Sequence, residues 1–190
     1  MIPLGILAAA GGAVASVDSY DLLETEILTS TSSSITFASL GDYAAEYQHL
    51  QIRTVTRCTT SGTDYEVVSM TFNGDTAANY SWHQLTGATG SVTSYAAPTQ
   101  SSIRAGLVLR NGNTANAFSS AIIDILDPFE GTKYPTARTL AGSPAGGQII
   151  GLYSGSWRNT ASFTSIALDA GPDSFSIGSR FSLYGLKASA

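Results

Sequence analysis

The sequence is short of the residues that mark a catalytic, metal-binding or disulfide-bonded protein. Its 190 residues contain one cysteine and two histidines. A single cysteine excludes an intramolecular disulfide framework and a zinc site built from several cysteines. The stretch G-x-S-x-G, which marks the serine of α/β hydrolases, does not occur. His49 and His83 are the available imidazole bases, and we interpret both as surface or packing residues of strands.

Charge is also scarce. Charged residues make up 12% of the chain, about half the share of an ordinary soluble domain. The 14 acidic and 9 basic residues give a net charge of −5, which works against binding a phosphate backbone, so no nucleic-acid partner is expected. No apolar run reaches the length of a membrane-spanning helix, so no membrane partner is expected either.

What the sequence does contain is a series of short runs with alternating apolar and polar residues, separated by turn-forming residues. In "QHLQIRTVTRC" one face carries Leu50, Ile52, Thr54, Thr56 and Cys58, and we interpret Cys58 as a small buried hydrophobe. The other face carries His49, Gln51, Arg53 and Arg57. The run "YEVVSMTF" is followed by "NGD", so Asn73 and Gly74 are predicted to end that strand.

The run "AFSSAIIDILD" is apolar on both faces. Ala121, Ile123 and Ile125 lie on one face, and Phe118, Ile122 and Leu126 lie on the other. This pattern predicts a central strand that is covered on both sides.

Five further runs are strand candidates: "DLLETEIL", "SITFASL", "GQIIGLY", "FTSIALDA" and "SRFSLYGLK". Roughly eight to ten strands without intervening helices are typical of an all-β protein. We predict an antiparallel two-sheet β-sandwich, jelly-roll-like, over residues 20–190, preceded by an extended N-terminal arm over residues 1–19.

Two clusters combine aromatic and polar residues. In "FNGDTAANYSWH" the oxygens of Asn73, Asp75 and Asn79 could bind calcium, but the spacing does not match a calcium loop, and a turn is the favoured interpretation. The rings of Tyr80 and Trp82 in this cluster and of Trp157 in "SGSWRN" are candidate glycan contacts, and Arg158 beside Trp157 is a candidate hydrogen-bond donor to the same ligand. No metal site and no cofactor is predicted.

Carboxylate pairs leave a third interpretation open, that of a sandwich-type glycan hydrolase. Asp124 with Asp127, or Glu24 with Glu26, would supply its two carboxylates. Their separations do not follow from the sequence, and acidic residues at strand ends are commonly solvated.

Several stretches resemble a group of structural proteins from tailed bacteriophages: "SSSITFASL", "YQHLQIRTVTR", "FNGDTAANYSWHQL", "NAFSSAIIDILDP" and "SRFSLYGLK". The resemblance extends over about residues 20 to 187. It implies a compact β-sandwich or jelly-roll domain on the particle surface, oligomeric and often trimeric. It also implies a non-enzymatic role in decorating or cementing the capsid, with the major capsid protein or other virion subunits as partners. The alternative is a tail-fibre or tail-adaptor module that recognises host-surface glycan.

The opening segment "MIPLGILAAAGGAVAS" has no charged side chain. Its "AVAS" imitates a signal-peptide cleavage site, but no Lys or Arg precedes the apolar run. We interpret the segment as an arm that docks into a partner subunit. Its candidate docking residues are Ile2, Pro3, Leu4, Ile6, Leu7 and Val14.

Deleting residues 2–15 is expected to leave the β domain folded and to lower its incorporation into particles, because the docking residues are lost. Circular dichroism of the purified protein and its copy number per particle measure the two effects. Normal assembly of the truncated protein would contradict the docking-arm interpretation.

Overall fold

The computed structural model describes residues 20–144 and 148–187, and these residues form two antiparallel β-sheets packed face to face. The arm predicted for residues 1–19 lies outside the described residues. The described part contains no α-helix and one 3-10 helix, Leu40–Tyr43. Its strands are β1 (Asp21–Ile27), β2 (Ser34–Phe37), β3 (His49–Thr56), β4 (Tyr65–Phe72), β5 (Tyr80–Ala88), β6 (Ser91–Gln100), β7 (Ile103–Leu109), β8 (Ser119–Leu126), β9 (Thr136–Ser143), β10 (Ile149–Trp157), β11 (Ile166–Asp169) and β12 (Arg180–Leu186).

The two sheets differ in size. The large sheet has eight strands in the order β1-β12-β3-β8-β9-β10-β5-β6, and the small sheet has four in the order β2-β11-β4-β7. Strand β7 of the small sheet packs on the middle of the large one, against β8, β9, β10 and β5. The all-β sandwich predicted from the sequence is confirmed.

The core lies between the sheets and is filled by the inward side chains of both. Ile52 and Ile123 come from the large sheet and Met70 and Leu168 from the small one, and all four are buried. A cluster of aromatic rings closes one end of the core. Phe72 lies 4.9 Å from Phe163 and 5.9 Å from Trp157 between ring centroids, within the range of favourable edge-to-face and tilted pairs.

All eight runs quoted as strand candidates form strands, and the structure adds β5, β6, β7 and β9 to them. Strand β6 is an exposed edge strand with Pro98 near its end, so its sequence lacks a buried apolar face. Strand β9 buries small residues, Ala137 and Ala141, and small side chains give a weak alternation signal.

The turn predicted after "YEVVSMTF" is confirmed. Strand β4 ends at Phe72, and Asn73 and Gly74 have positive φ angles of 54° and 66°. The Asn73 side chain also binds a distant loop, because Nδ2 donates to the Ser162 carbonyl at 2.7 Å and Oδ1 accepts from the Thr164 amide at 2.8 Å.

The prediction that Arg57 lies on the same strand face as Arg53 is wrong. Strand β3 ends at Thr56, and the Arg57 side chain is buried. Its guanidinium donates to four backbone carbonyls, at distances from 2.7 to 2.9 Å, in the loop between β7 and β8: Asn111, Asn113, Thr114 and Ala117. These carbonyl dipoles offset the cost of burying the charge.

Gly155 in β10 has no room for a side chain. A Cβ there would lie 2.7 Å from the Ser81 carbonyl oxygen and 2.8 Å from a methyl of Ile103, whereas at Gly142 in β9 nothing lies within 4 Å. Gly155→Ala should therefore lower the free energy of unfolding by about 1 to 3 kcal/mol. The control Gly142→Ala should change it by no more than about 0.5 kcal/mol. Urea unfolding followed by tryptophan fluorescence measures both, and equal effects would contradict the packing.

Candidate docking face

The side of the large sheet that points away from the small sheet, called the outer face below, carries most of the exposed large hydrophobic side chains. Among the described residues only Tyr95, Tyr134 and Ile177 are large, hydrophobic and exposed elsewhere. Those on the outer face are Tyr20, Leu22, Ile27, Val55, Leu85, Val92, Ile122, Leu140, Ile150 and Leu152.

Four of these side chains form a continuous line across four strands, called the aliphatic row below. Ile122 of β8 is paired with Leu140 of β9, Leu140 with Leu152 of β10, and Leu152 with Leu85 of β5. Their exposed fractions lie between 45% and 51%. Single exposed hydrophobic residues are ordinary on protein surfaces, but a contiguous row of them marks an interaction site.

A second line of residues, with smaller side chains, runs beside the aliphatic row. Ile150 is paired with Gly142 on one side and Gly87 on the other, and Gly87 is paired with Val92. The two glycines leave shallow gaps between the larger side chains. One open depression, between the row and this second line, is lined by Ile122, Leu140, Gly142 and Ile150. Another lies on the other side of the row, where Asp124, Arg138, Ser154 and His83 share its lining.

A polar line borders the aliphatic row on the other side. Asp124 accepts a hydrogen bond from Gln51 Nε2 at 2.8 Å and another from Arg138 Nε at 3.1 Å. Ser154 and His83 continue this line across β10 and β5. Both carboxylate oxygens of Asp124 are therefore occupied by neighbours within the sheet.

The chain reaches the outer face at Tyr20, the first described residue. The Arg53 guanidinium lies between two tyrosine rings, 4.4 Å from the centroid of Tyr184 and 5.3 Å from that of Tyr20. Arg53 is paired with Ile122 at the end of the aliphatic row. The side chain of Tyr20 is therefore held on the face that carries the row.

The structure corrects the prediction that β8 is covered on both sides. Strand β8 is central, between β3 and β9, and Ala121, Ile123 and Ile125 are buried as expected. On the other side Ile122 is 45% exposed. The apolar residues on both faces of β8 were therefore the feature of the sequence that indicated the outer face. They did not show that the described chain leaves this face uncovered.

The candidate glycan contacts need a correction too, because all three of their rings belong to the core. Tyr80 is 0% and Trp157 1% exposed, and the Trp82 ring is covered by Arg104 at 4.1 Å and by Tyr95. None of them offers a free face for a sugar to stack on. Arg158 donates to the backbone carbonyls of Pro98 and Ala78, so it holds loops together.

Asp75 organises the polar part of the same cluster. Its Oδ2 accepts from Trp157 Nε1 at 2.8 Å and from Asn79 Nδ2 at 2.9 Å, and its Oδ1 accepts from the Ala77 amide at 2.8 Å. These hydrogen bonds hold the pKa of Asp75 below its usual value, and the one from Asn79 has the largest effect. The favoured interpretation as a turn agrees with this arrangement.

Among the remaining candidates, His49 and Asp127 lie together, and the others lie apart from them. His49 Nδ1 accepts from the backbone amide of Asp127 at 3.0 Å, His83 lies exposed on the outer face, and Cys58 is buried. Asp127 accepts from Lys133 Nζ at 3.1 Å and from Gln48 Nε2 at 3.1 Å. The other carboxylate pair, Glu24 and Glu26, lines a polar cleft between β1 and β2.

Within the described residues, no three His, Cys, Asp or Glu side chains come together as a group that could hold a metal ion. In the same part of the chain, no helix has the length and apolar character needed to cross a membrane.

No family model matches the chain, and no curated protein matches it at a significant level. Among solved structures it is similar to the crystal structure of a protein of unknown function, SO2946 from Shewanella oneidensis MR-1, with 8% sequence identity and a TM-score of 0.26. The similarity covers 91% of this chain and 78% of that one. A similarity this weak supports no inference about function.

Asp75→Asn should destabilise the protein at neutral pH, because the neutral side chain is a weaker acceptor for Trp157 and Asn79. The pKa of Asp75 is lowered in the folded state, so its contribution is present above the ordinary value of 3.8 and disappears as the pH falls through the lower, folded-state value. The stability difference from wild type should therefore shrink below pH 3.8. Urea unfolding at several pH values measures this, with the exposed Asp173→Asn as control. A difference that stayed constant with pH would contradict the role of the carboxylate.

Proposed function

We propose that this chain is a non-enzymatic structural protein of a tailed-phage particle, which decorates or cements the capsid by bridging neighbouring subunits through its outer face. The observation that carries the proposal is the aliphatic row, in which four side chains about half exposed lie in register across adjacent strands. The assignment to a phage particle depends on the resemblance of the strand and turn sequences.

Burial of the outer face would supply the binding free energy. Removing apolar surface from water contributes about 25 cal/mol per Å², and the row offers several half-exposed side chains on a rigid sheet. The polar line through Asp124 and Arg138 would form the hydrated rim of such an interface, as is usual around an apolar centre.

Such a protein acts by linkage and makes or breaks no covalent bond. A subunit that binds the assembled shell, and binds its dissociated parts less well, stabilises the shell by the difference in binding free energy. The partners proposed are the major capsid protein or other virion subunits, with the chain itself as a homotrimer on the particle surface. A low content of charged residues suits a protein whose surface is largely shared with neighbours.

The alternative of a glycan-recognising tail-fibre or tail-adaptor module is less favoured. It depended on rings in "NYSWH" and "SGSWRN", and Tyr80, Trp82 and Trp157 are packed in the core. A polar surface with exposed rings would favour a sugar ligand, whereas the centre of the outer face, the aliphatic row, consists of Ile and Leu side chains.

Purified particles should contain the protein in many copies, and Leu140→Ser combined with Leu152→Ser should strongly reduce that number. Both side chains are about half exposed, so the folded subunit loses little while the interface loses its centre. Ile177→Ser is the matched control, since Ile177 is 60% exposed away from the outer face. Quantitative mass spectrometry of particles measures incorporation, and thermal unfolding checks folding. Normal incorporation of the double variant, or wild-type protein found only in lysate, would contradict the proposal.

A further inference from the structure

We propose that the aliphatic row on the outer face is the receptor for residues 1–17 of the N-terminal arm of a second copy of this chain. This inference rests on the proposed structural function and deepens it by naming what occupies the face. It assigns the apolar segment at the start of the sequence to the apolar surface that the described residues leave uncovered.

The two surfaces match in chemistry. Residues 1–17 carry no charged side chain, and their larger members are aliphatic: Ile2, Leu4, Ile6, Leu7 and Val14. The aliphatic row is a line of Ile and Leu side chains, and Gly142 and Gly87 leave low points beside Ile150. Aliphatic arm residues that entered these low points would be removed from water without leaving a charge unpaired.

The position of Tyr20 shows that the arm joins the domain on this face. Its ring lies 5.3 Å from the Arg53 guanidinium, and Arg53 is the direct neighbour of Ile122. The arm therefore begins at the margin of the outer face.

The direction of β1 favours a second copy over the arm's own domain. Leu22 lies in line with Tyr184, Gln51 and Asp124, and the next residues of β1 advance toward the line of Arg53 and Ile122. Strand β1 therefore runs from the polar line toward the line of the aliphatic row. An arm that docked on its own row would have to reverse the direction of β1, whereas a row on a second copy requires no such reversal.

The arm is also long enough to reach a neighbour. Nineteen residues in an extended conformation span at most about 65 Å, whereas a 190-residue domain has a radius of gyration of about 16 Å. Arms exchanged in this way between identical subunits give a closed ring when the rotation closes, which is compatible with a trimer.

Crosslinking of full-length chains tests the inference. One protein carries Leu7→Cys in the arm, and a second carries Ser154→Cys, exposed on the outer face two residues from Leu152. The native Cys58 is buried and should not react with a short bis-maleimide. Mixing the two proteins should give a crosslink between them, and adding Leu140→Asp and Leu152→Asp to the second protein should weaken the association about tenfold or more.

Ile177→Cys in place of Ser154→Cys is the control for chance encounters, because Ile177 is exposed away from the outer face. The inference is overturned if the control crosslinks equally, if no crosslink forms, or if a crosslink forms only within single chains that carry both Leu7→Cys and Ser154→Cys. If the arm crosslinks form but the Leu140 and Leu152 variants are incorporated into particles normally, the proposed function is contradicted and arm exchange is supported. If these variants lose incorporation but no arm crosslink forms, the proposed function is supported and arm exchange is contradicted. The occupant of the outer face would then be another virion protein.

Discussion

The pairing register of the five strands β3, β8, β9, β10 and β5 fixes both sides of the large sheet at once. Successive side chains of a strand point to opposite faces, so the register that places Ile52 beside Ile123 in the core also places Arg53 beside Ile122 outside. A slip by one residue would exchange the two sets. The core therefore holds the aliphatic row in line, and the row is rigid because the sheet beneath it is.

Polar side chains in turn fix the loops that connect these strands. Asn73, Asp75 and Arg57 each bind groups that are distant in sequence, including the Ser162 carbonyl, the Trp157 indole and the loop before β8. These contacts give the buried Trp157 indole an acceptor and hold the loop carbonyls in place. They explain why a turn cluster rich in Asn, Asp and aromatic residues serves the fold and offers no open ligand site in the described part of the chain.

The outer face is an apolar surface that the described core leaves uncovered, and residues 1–17 are an apolar stretch of the sequence without a charged side chain. Removing either of them from water is favourable. A structural subunit that uses one to bind the other needs no strong charge complementarity. Under the proposed function, the scarcity of charged residues would reflect a surface that is largely shared with neighbouring subunits.

Periodicity alone determined the class of fold, the eight strands with clear alternation, the Asn73–Gly74 turn and the buried state of Cys58, because these depend on local pattern and turn chemistry. It could not locate β6 or β9, whose side chains are exposed or small, nor could it place Arg57 in its ring of carbonyls. The sequence showed two apolar faces on β8, and only tertiary structure decided which one the molecule covers. That decision depends on strand order and on the small sheet reaching one side, which are long-range pairings that no local pattern encodes.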